Sequence, residues 1–169
     1  MTKVLYLLRH AKSSWDDPEL DDIERPLAPR GRKAARALAV HMDDEGITPA
    51  LVLCSPARRT RDTIDLVRSG LPPGTKVRTE DRLYGASPAD VLKILRRLSD
   101  SLPSVMVVGH NPTMQELALS LASSGPGLER VSAGFPTAAL AKLSLPIDRW
   151  NDLGTGKASL ASFVTPKDL

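Results

Sequence analysis

The sequence predicts an α/β fold, a three-layer sandwich in which helices flank a mostly parallel central sheet. Two observations predict it. Short apolar runs alternate along the chain with longer stretches whose apolar residues recur at helical spacing. Three of these runs also have a basic or imidazole side chain at their end or a few residues beyond it, at the place where parallel sheets present ligand-binding groups. The 169 residues fit a single domain, residues 1–169, with length for a sizeable core.

The individual elements follow from apolar periodicity and from proline and glycine positions. Strands are expected at residues 4–8, 50–54, 76–80 and 104–109, and helices at 29–45, 55–68, 88–100 and 111–122. Ser55-Pro56 and Asn111-Pro112 are each expected to start a helix as a cap followed by proline. Residues 12–28 and 123–136 are predicted loops, and strands at 138–143 and 160–164 are expected to form a hairpin-like end.

Composition narrows the classes of function. Hydrophobic residues make up 41% and charged residues 25% of the chain, as in ordinary soluble globular proteins. Aromatic residues are only 4% and the net charge is +3, which disfavours nucleic-acid binding because stacking platforms and a strong basic excess are both missing. The apolar run at residues 4–8 is too short for a signal-peptide core or a membrane span. A cytoplasmic protein that does not use a membrane is expected.

The cysteine and histidine content predicts a protein that needs no metal or other cofactor. Cys54 is the single cysteine, so an internal disulfide and a multi-cysteine metal cluster are excluded. The arginines that follow Cys54 do not have the spacing of a cysteine phosphatase loop, and a buried structural role is expected for its thiol. His10, His41 and His110 do not have metal-ligand spacing.

The most informative feature is the polar end of three predicted strands. The first strand ends in Arg9-His10, the second is followed by Arg59 in the helix after it, and the fourth ends in Gly109-His110. Core packing does not explain such groups, because burying them unpaired is costly. Since the carboxyl ends of parallel strands lie at one edge of a sheet, these arginines and histidines are expected to form one small anion-binding pocket.

A phosphoryl group suits this pocket. Two arginine forks can hold its oxygens through charge-assisted hydrogen bonds and neutralise the charge that is transferred. A neutral imidazole nitrogen can attack phosphorus and carry the group as phosphohistidine until water removes it. Two histidines allow a division of labour, in which one is the nucleophile and the other holds an oxygen.

Three ordered motifs resemble the histidine phosphatase superfamily, which includes the cofactor-dependent phosphoglycerate mutases. They are Leu8-Arg9-His10-Ala11, Ser55-Pro56-x-x-Arg59-x-x-x-Thr63 and Val108-Gly109-His110-Asn111. Other features are similar to its SixA-type phosphohistidine phosphatase branch. These are the short chain, the run Arg9–Trp15 in place of the commoner Arg-His-Gly-Glu, and the motifs Arg25-Pro26-Leu27-x-x-x-Gly31, Leu83-Tyr84-Gly85-Ala86 and Phe135-Pro136-Thr137. The resemblance covers nearly the whole chain and implies a phosphoglycerate mutase-like fold.

The resemblance also implies the roles of the pocket residues. It makes the chain a metal-independent phosphatase in which His10 is the nucleophile. Arg9, Arg59 and His110 are expected to hold the phosphoryl group, and His110 also to stabilise it during transfer. The resemblance further implies that the substrate is phosphohistidine of a signalling or phosphotransfer protein.

Four further residues have lesser expected roles. Ser13 and Ser14, just beyond the first strand, are expected to contact phosphate or substrate. Asn111 is expected to cap its helix and to border the substrate. Thr63 is expected to pack or to form a structural hydrogen bond.

The general acid is the point at which the sequence departs from many members of the superfamily. Asp81 and Glu80, after the third strand, are both candidates, and an exposed acidic turn explains them equally well. The SixA-type branch commonly lacks this acid. Phosphohistidine has a reactive P–N bond and a leaving group that can take up a proton near neutral pH, so the missing acid favours phosphohistidine as the substrate.

Other functions stay open. A small-molecule phosphomonoesterase or a mutase of the same superfamily is one alternative, although the short chain leaves little room for insertions that close over a sugar phosphate. A non-catalytic module that binds phosphorylated partners is another, but it would need only the arginines. A monomer is favoured.

The basic residues near the first helix are expected to form a solvated face, with a docking surface for an acidic phosphoprotein as the alternative. They are Arg25, Arg30, Arg32, Lys33 and Arg36.

Overall fold

Alternating strands and helices build the protein, which a computed structural model describes over residues 2–169. The strands are β1 Lys3–Arg9, β2 Leu51–Cys54, β3 Lys76–Thr79, β4 Ser104–Gly109, β5 Ala122–Ser124, β6 Leu140–Leu145 and β7 Ala158–Val164. The helices are α1 Pro29–Asp44, α2 Arg58–Val67, α3 Pro88–Arg96, α4 Thr113–Leu121 and α5 Leu128–Ala133.

The strands form a single sheet in the order β3-β2-β4-β1-β6-β7-β5. The first four strands in this order run parallel to one another. The strand β6 is antiparallel to both β1 and β7, and β5 pairs parallel with β7. The predicted α/β architecture with a mostly parallel sheet and an antiparallel end is confirmed.

Alternation of side chains along the strands produces the three layers. Leu5 and Leu7 of β1 join a core on one face, which α3, α4 and α5 cover. Tyr6 and Leu8 join the core on the other face, which α1 and α2 cover. Each leucine fully buried in this way contributes about 1.5–3 kcal/mol. Because strands buried on both faces are apolar throughout, the polar residues collect at the strand ends.

Two helices begin later than the sequence predicts, one because Ser55 has other partners and the other because Asn111 caps its helix from outside the first turn. The helix α2 begins at Arg58 rather than at Ser55-Pro56. The Ser55 hydroxyl accepts from the Ala57 N–H at 3.3 Å and also pairs with His110. The helix α4 begins at Thr113, and Asn111 Oδ1 caps it from outside by accepting from the Gln115 N–H at 3.2 Å.

The prediction of a loop over residues 123–136 is wrong. This stretch contains the end of β5 and the whole of α5, whose local signal is hidden by glycine and serine. The strand β5 exists because β7 pairs with it, which is a tertiary effect that single-sequence periodicity does not detect.

The helix α3 ends at Arg96 instead of continuing to residue 100 as predicted. Within residues 2–169, every helix falls short of the length and apolarity that crossing a bilayer requires.

Candidate active site

The carboxyl ends of β1, β4 and β2 lie side by side and bring the predicted pocket residues together. Arg9 at the end of β1 is in register with Gly109 at the end of β4. The next residues, His10 and His110, have imidazole centroids 5.5 Å apart. Arg59 lies near both, since its charge contributes to lowering the pKa of each imidazole. We call this group of four side chains the catalytic edge.

His10 is held in one tautomer by its own backbone. Its Nδ1 lies 2.7 Å from the Ala11 carbonyl oxygen, and a carbonyl can only accept, so Nδ1 carries the proton. The lone pair is therefore on Nε2. Burial, together with the nearby His110, Arg59 and Arg9, lowers the pKa of His10 from 6.5 to about 3, although the hydrogen bond to Ala11 opposes this shift. The imidazole is neutral at pH 7 and has the protonation state of a nucleophile.

The loop that follows His10 is clamped from two sides. On one side the Ala11 N–H donates to Thr63 Oγ1 at 2.9 Å, and the Thr63 hydroxyl donates to the Arg59 carbonyl at 2.7 Å. On the other side a Cβ on Gly31 would lie 2.1 Å from the Lys12 carbonyl oxygen, so only glycine lets α1 approach so closely. The helices α1 and α2 thereby fix the carbonyl that orients His10.

Both arginines of the catalytic edge are anchored and still have a donor to offer. Arg9 Nη1 donates to the Phe135 carbonyl at 2.9 Å. Arg59 donates from Nη1 to the Asp22 carbonyl at 2.8 Å and from Nη2 to Asp22 Oδ2 at 3.0 Å. The Nε of each guanidinium is buried without a hydrogen-bond partner. Anchored guanidinium groups with free N–H donors are suited to an oxyanion.

His110 has one nitrogen engaged and one unpaired. Its Nε2 lies 2.7 Å from Ser55 Oγ, while Nδ1 is buried without a partner. Burial, followed by the charge of Arg59, lowers the pKa of His110 from 6.5 to about 4, which the Asp22 carboxylate partly opposes. His110 Nδ1, Arg9 Nε and Arg59 Nε are the only buried side-chain nitrogens or oxygens within residues 2–169 that have no partner.

Asp22 is the main site residue that sequence reasoning missed. It lies in the 3-10 turn Asp22–Glu24 of the 12–28 loop. Its carboxylate accepts from the Tyr84 hydroxyl at 2.6 Å and from Arg25 Nε at 3.2 Å, in addition to Arg59. The Tyr84 hydrogen bond, followed by those of the arginines, lowers the pKa of Asp22 to about 2. The spacing Asp22-x-x-Arg25-Pro26 was the available signal, because residues three apart meet in such a turn.

Two aromatic side chains border this polar group. The Tyr84 ring lies 5.8 Å from the His110 ring, centroid to centroid. The Trp15 ring is 72% exposed and stacks on the Arg25 guanidinium, with Cζ 3.5 Å from the ring centroid. We call Asp22, Arg25, Tyr84 and Trp15 the loop cluster. It reaches the catalytic edge through the ion pair of Asp22 with Arg59 and through the Tyr84 ring beside His110.

The lesser predicted contacts all have partners inside the protein. Ser13 Oγ accepts from Arg25 Nη1 at 2.9 Å. Ser14 Oγ accepts from the Asp16 N–H at 3.1 Å. Asn111 caps α4 in the same way. All three side chains therefore have structural roles.

Neither predicted general acid is paired with His10 or His110. Both Glu80 carboxylate oxygens accept from Arg82, at 2.8 and 3.1 Å, and this pairing lowers the pKa of Glu80. Asp81 is exposed at the start of a 3-10 turn. Among residues 2–169, neither carboxylate forms a hydrogen bond or an ion pair with His10 or His110. With Asp22 ionised as well, a proton donor of the carboxyl type is not assembled at this edge.

Two other chemistries find little support in the described chain. Burial raises the pKa of Cys54 to about 12, so its sulfur is a protonated thiol in the core rather than a nucleophile. Within residues 2–169, His, Cys, Asp and Glu side chains form no group of three or more that could hold a metal ion.

Comparison with known proteins agrees with this geometry. Residues 5–87 match the family model of the histidine phosphatase superfamily (branch 1). An uncharacterised protein of Mycobacterium tuberculosis is 38% identical over 164 residues, which cover 95% of this chain and 100% of the relative. The chain belongs to the histidine phosphatase superfamily.

Solved structures indicate the branch of the superfamily to which the chain is similar. A proposed phosphohistidine phosphatase SixA from Agrobacterium tumefaciens superimposes with a TM-score of 0.78 at 31% identity, covering 97% of this chain and 98% of that one. The corresponding protein of Nakamurella multipartita gives a TM-score of 0.81 at 29% identity, over 98% and 97% of the two chains. These similarities identify the SixA-type branch and support phosphatase activity.

Proposed function

We propose that the protein removes phosphate from phosphohistidine of a partner protein, through a phosphorylated His10 intermediate. The observation that carries this proposal is the set of three unpaired buried nitrogens on Arg9, Arg59 and His110. Each unsatisfied buried group costs about 1–3 kcal/mol. A phosphoryl group repays that cost because its oxygens accept from several donors at once.

In the first step His10 Nε2 attacks phosphorus, so that an Nε2–P bond forms as the P–N bond to the substrate imidazole breaks. The proton on Nδ1 stays hydrogen-bonded to the Ala11 carbonyl. Arg9 and Arg59 neutralise the phosphoryl oxygens during transfer. In the second step water attacks phosphorus, the bond to Nε2 breaks, and inorganic phosphate leaves with His10 returned to its neutral form.

The choice of phosphohistidine follows from the missing acid. An alkoxide leaving group must be protonated as it departs, whereas a phosphorylated imidazole that carries a proton on its other nitrogen departs as neutral imidazole. Asp22 and Glu80 both have lowered pKa values, so neither holds a proton for an alkoxide at pH 7. The similarity to proposed phosphohistidine phosphatases points to the same substrate.

The test is to detect the intermediate at neutral pH, since phosphohistidine is labile in acid. The wild type is mixed with phosphoramidate or a histidine-phosphorylated protein and examined by native mass spectrometry. We expect an adduct of one phosphoryl group that His10→Ala abolishes. His41→Ala is the matched control, because His41 lies on α1 outside the pocket, and it should keep the adduct.

The substrate is tested separately by initial rates on phosphohistidine and on an aryl phosphate. We expect kcat/KM to favour phosphohistidine. Preference for the aryl phosphate, with the adduct intact, would indicate a phosphomonoesterase. Absence of both adduct and turnover in a folded protein would contradict catalysis and favour a phosphate-binding module.

A further inference from the structure

We propose that a basic cavity beside the catalytic edge is the docking surface for an acidic segment of the phosphoprotein substrate. This inference rests on the proposed function and adds how the partner is recognised. The cavity has a volume of about 350 Å³. Its rim carries Lys12, Arg30 and Lys33, and its remaining lining comes from Ala34, Ala37, Thr137, Pro166 and Leu169.

The rim charges are free, unlike their neighbours in sequence. Arg25 is engaged by Ser13 and Asp22, and Arg32 Nη1 donates to the Leu27 carbonyl at 2.9 Å. In the described part of the chain, the side chains of Lys12, Arg30 and Lys33 form no hydrogen bond and no ion pair. The structure therefore divides the basic cluster of the sequence into arginines that hold the loop and cations that face solvent.

The cavity is close enough to the catalytic edge for one partner to reach both. Lys12 follows His10 by two residues, which span at most about 7 Å of chain. Thr137, which also lines the cavity, precedes Ala138, whose N–H donates to the His10 carbonyl at 3.0 Å. A protein whose phosphohistidine enters the pocket is therefore close enough to contact this surface as well.

The chemistry of the lining selects an acidic polypeptide segment. Three cations around an apolar floor match carboxylates that lie beside apolar side chains. The floor continues along α1 from Ala34 and Ala37 to Val40, which is 63% exposed. Asp168 does not neutralise the rim, because Arg130 Nη2 donates to it at 2.7 Å.

The test compares a charge reversal on the rim with one elsewhere. The variant is Arg30→Glu with Lys33→Glu. Arg30 lies in the first turn of α1, where glutamate is favourable to the helix, and Lys33 is an exposed position just after that turn, so the fold should be retained. The control is Lys76→Glu with Lys157→Glu, an equal charge change at exposed positions on β3 and before β7. The substrates are an acidic, histidine-phosphorylated phosphotransfer protein and free phosphohistidine.

We expect the rim variant to lower kcat/KM for the protein substrate about tenfold at low salt, chiefly through KM. The difference should shrink in high salt because exposed charges are screened. Turnover of free phosphohistidine should be unchanged, and the control variant should match the wild type on both substrates.

Four outcomes would overturn the docking surface in an active protein. If kcat/KM of the rim variant fell equally on free phosphohistidine, the cations would belong to the catalytic pocket. If the control variant lost as much kcat/KM as the rim variant, the effect would come from the net charge of the protein alone. If the rim variant no longer bound to duplex DNA that retains the wild type, while its kinetics on the phosphoprotein were unchanged, the cations would form a nucleic-acid-binding surface. Unchanged kinetics throughout would remove the surface while leaving the proposed function standing. A wild type inactive on both substrates would instead refute the proposed function itself, and docking with it.

Discussion

The catalytic edge and the loop cluster are neighbours that are built in opposite ways. His10 and Arg59 are each only 7% exposed, and the main chain fixes them through strand ends and helix starts. Asp22 of the loop cluster has a half-exposed side chain, with 50% of its surface accessible, and it is held only by other side chains. The two regions meet at the ion pair of Arg59 with Asp22 and at the contact between the Tyr84 and His110 rings. We infer that the catalytic edge supplies the chemistry and the loop cluster aligns one of its cations.

Arg59→Ala should give the largest effect, because it removes a charge that neutralises the transferring group. We expect kcat to fall about 10²- to 10³-fold, the usual cost of losing one such donor. Steady-state kinetics on phosphohistidine measure this fall.

Arg58→Ala is the matched control for this variant. Arg58 precedes Arg59 on the same helix, is exposed, and pairs with Asp62. It should retain wild-type kcat. If kcat fell equally in the two variants, the positive charge of α2 as a whole, rather than an oriented hydrogen-bond donor, would be what promotes the reaction.

Asp22→Asn tests whether the loop cluster aligns Arg59. The variant keeps an oxygen near Arg59 but loses the charge that attracts it. We expect kcat/KM to fall about 10- to 100-fold, which is the usual effect of altering a residue that orients a ligand-contacting side chain. The fall should be smaller than for Arg59→Ala.

Two further measurements separate alignment of Arg59 from a direct role of Asp22. Asp21→Asn changes the adjacent carboxylate and should leave kcat/KM unaffected. Asp22→Asn with Arg59→Ala should be no worse than Arg59→Ala alone, because Asp22 acts through that arginine. Additive losses would contradict alignment and indicate a direct role for Asp22.

Thr63→Val tests the clamp that fixes the catalytic edge. It leaves the buried Ala11 N–H without an acceptor, so we expect the free energy of unfolding to fall by about 1–3 kcal/mol in urea titrations. Thr63→Ser keeps the hydroxyl and should recover most of that loss. A Thr63→Val protein as stable as the wild type would show that the clamp contributes nothing to folding.

The two regions also differ in how far the sequence predicts them. The catalytic edge was predictable because apolar periodicity locates Arg9 and His110 at strand ends, and parallel strands bring their ends together. The loop cluster was not, because Asp22 contacts Arg59 across 37 residues and Tyr84 across 62. No local pattern encodes such contacts. The start of α2 was misplaced for the same reason, since Ser55 pairs with His110 across 55 residues.

The buried imidazoles of the catalytic edge predict that stability falls as the pH drops from 7 to 5, a range that lies well above the lowered pKa of Asp22 in the loop cluster. The pKa of His10 is about 3 and that of His110 about 4 in the folded protein, against about 6.5 when unfolded. Between these values the unfolded chain binds more protons, so stability is fully present above pH 6.5 and is lost as the pH falls. The expected slope is about 1.4 kcal/mol per pH unit for each histidine.

Urea titrations in phosphate-free buffer between pH 7 and 5 measure this slope. His10→Gln and His110→Gln should each remove about half of it, because each retains one buried imidazole. The double variant should lose the histidine contribution entirely. If the double variant kept the wild-type slope, the imidazoles would have to take up protons in the folded state, and a neutral His10 could not then be the nucleophile at pH 6.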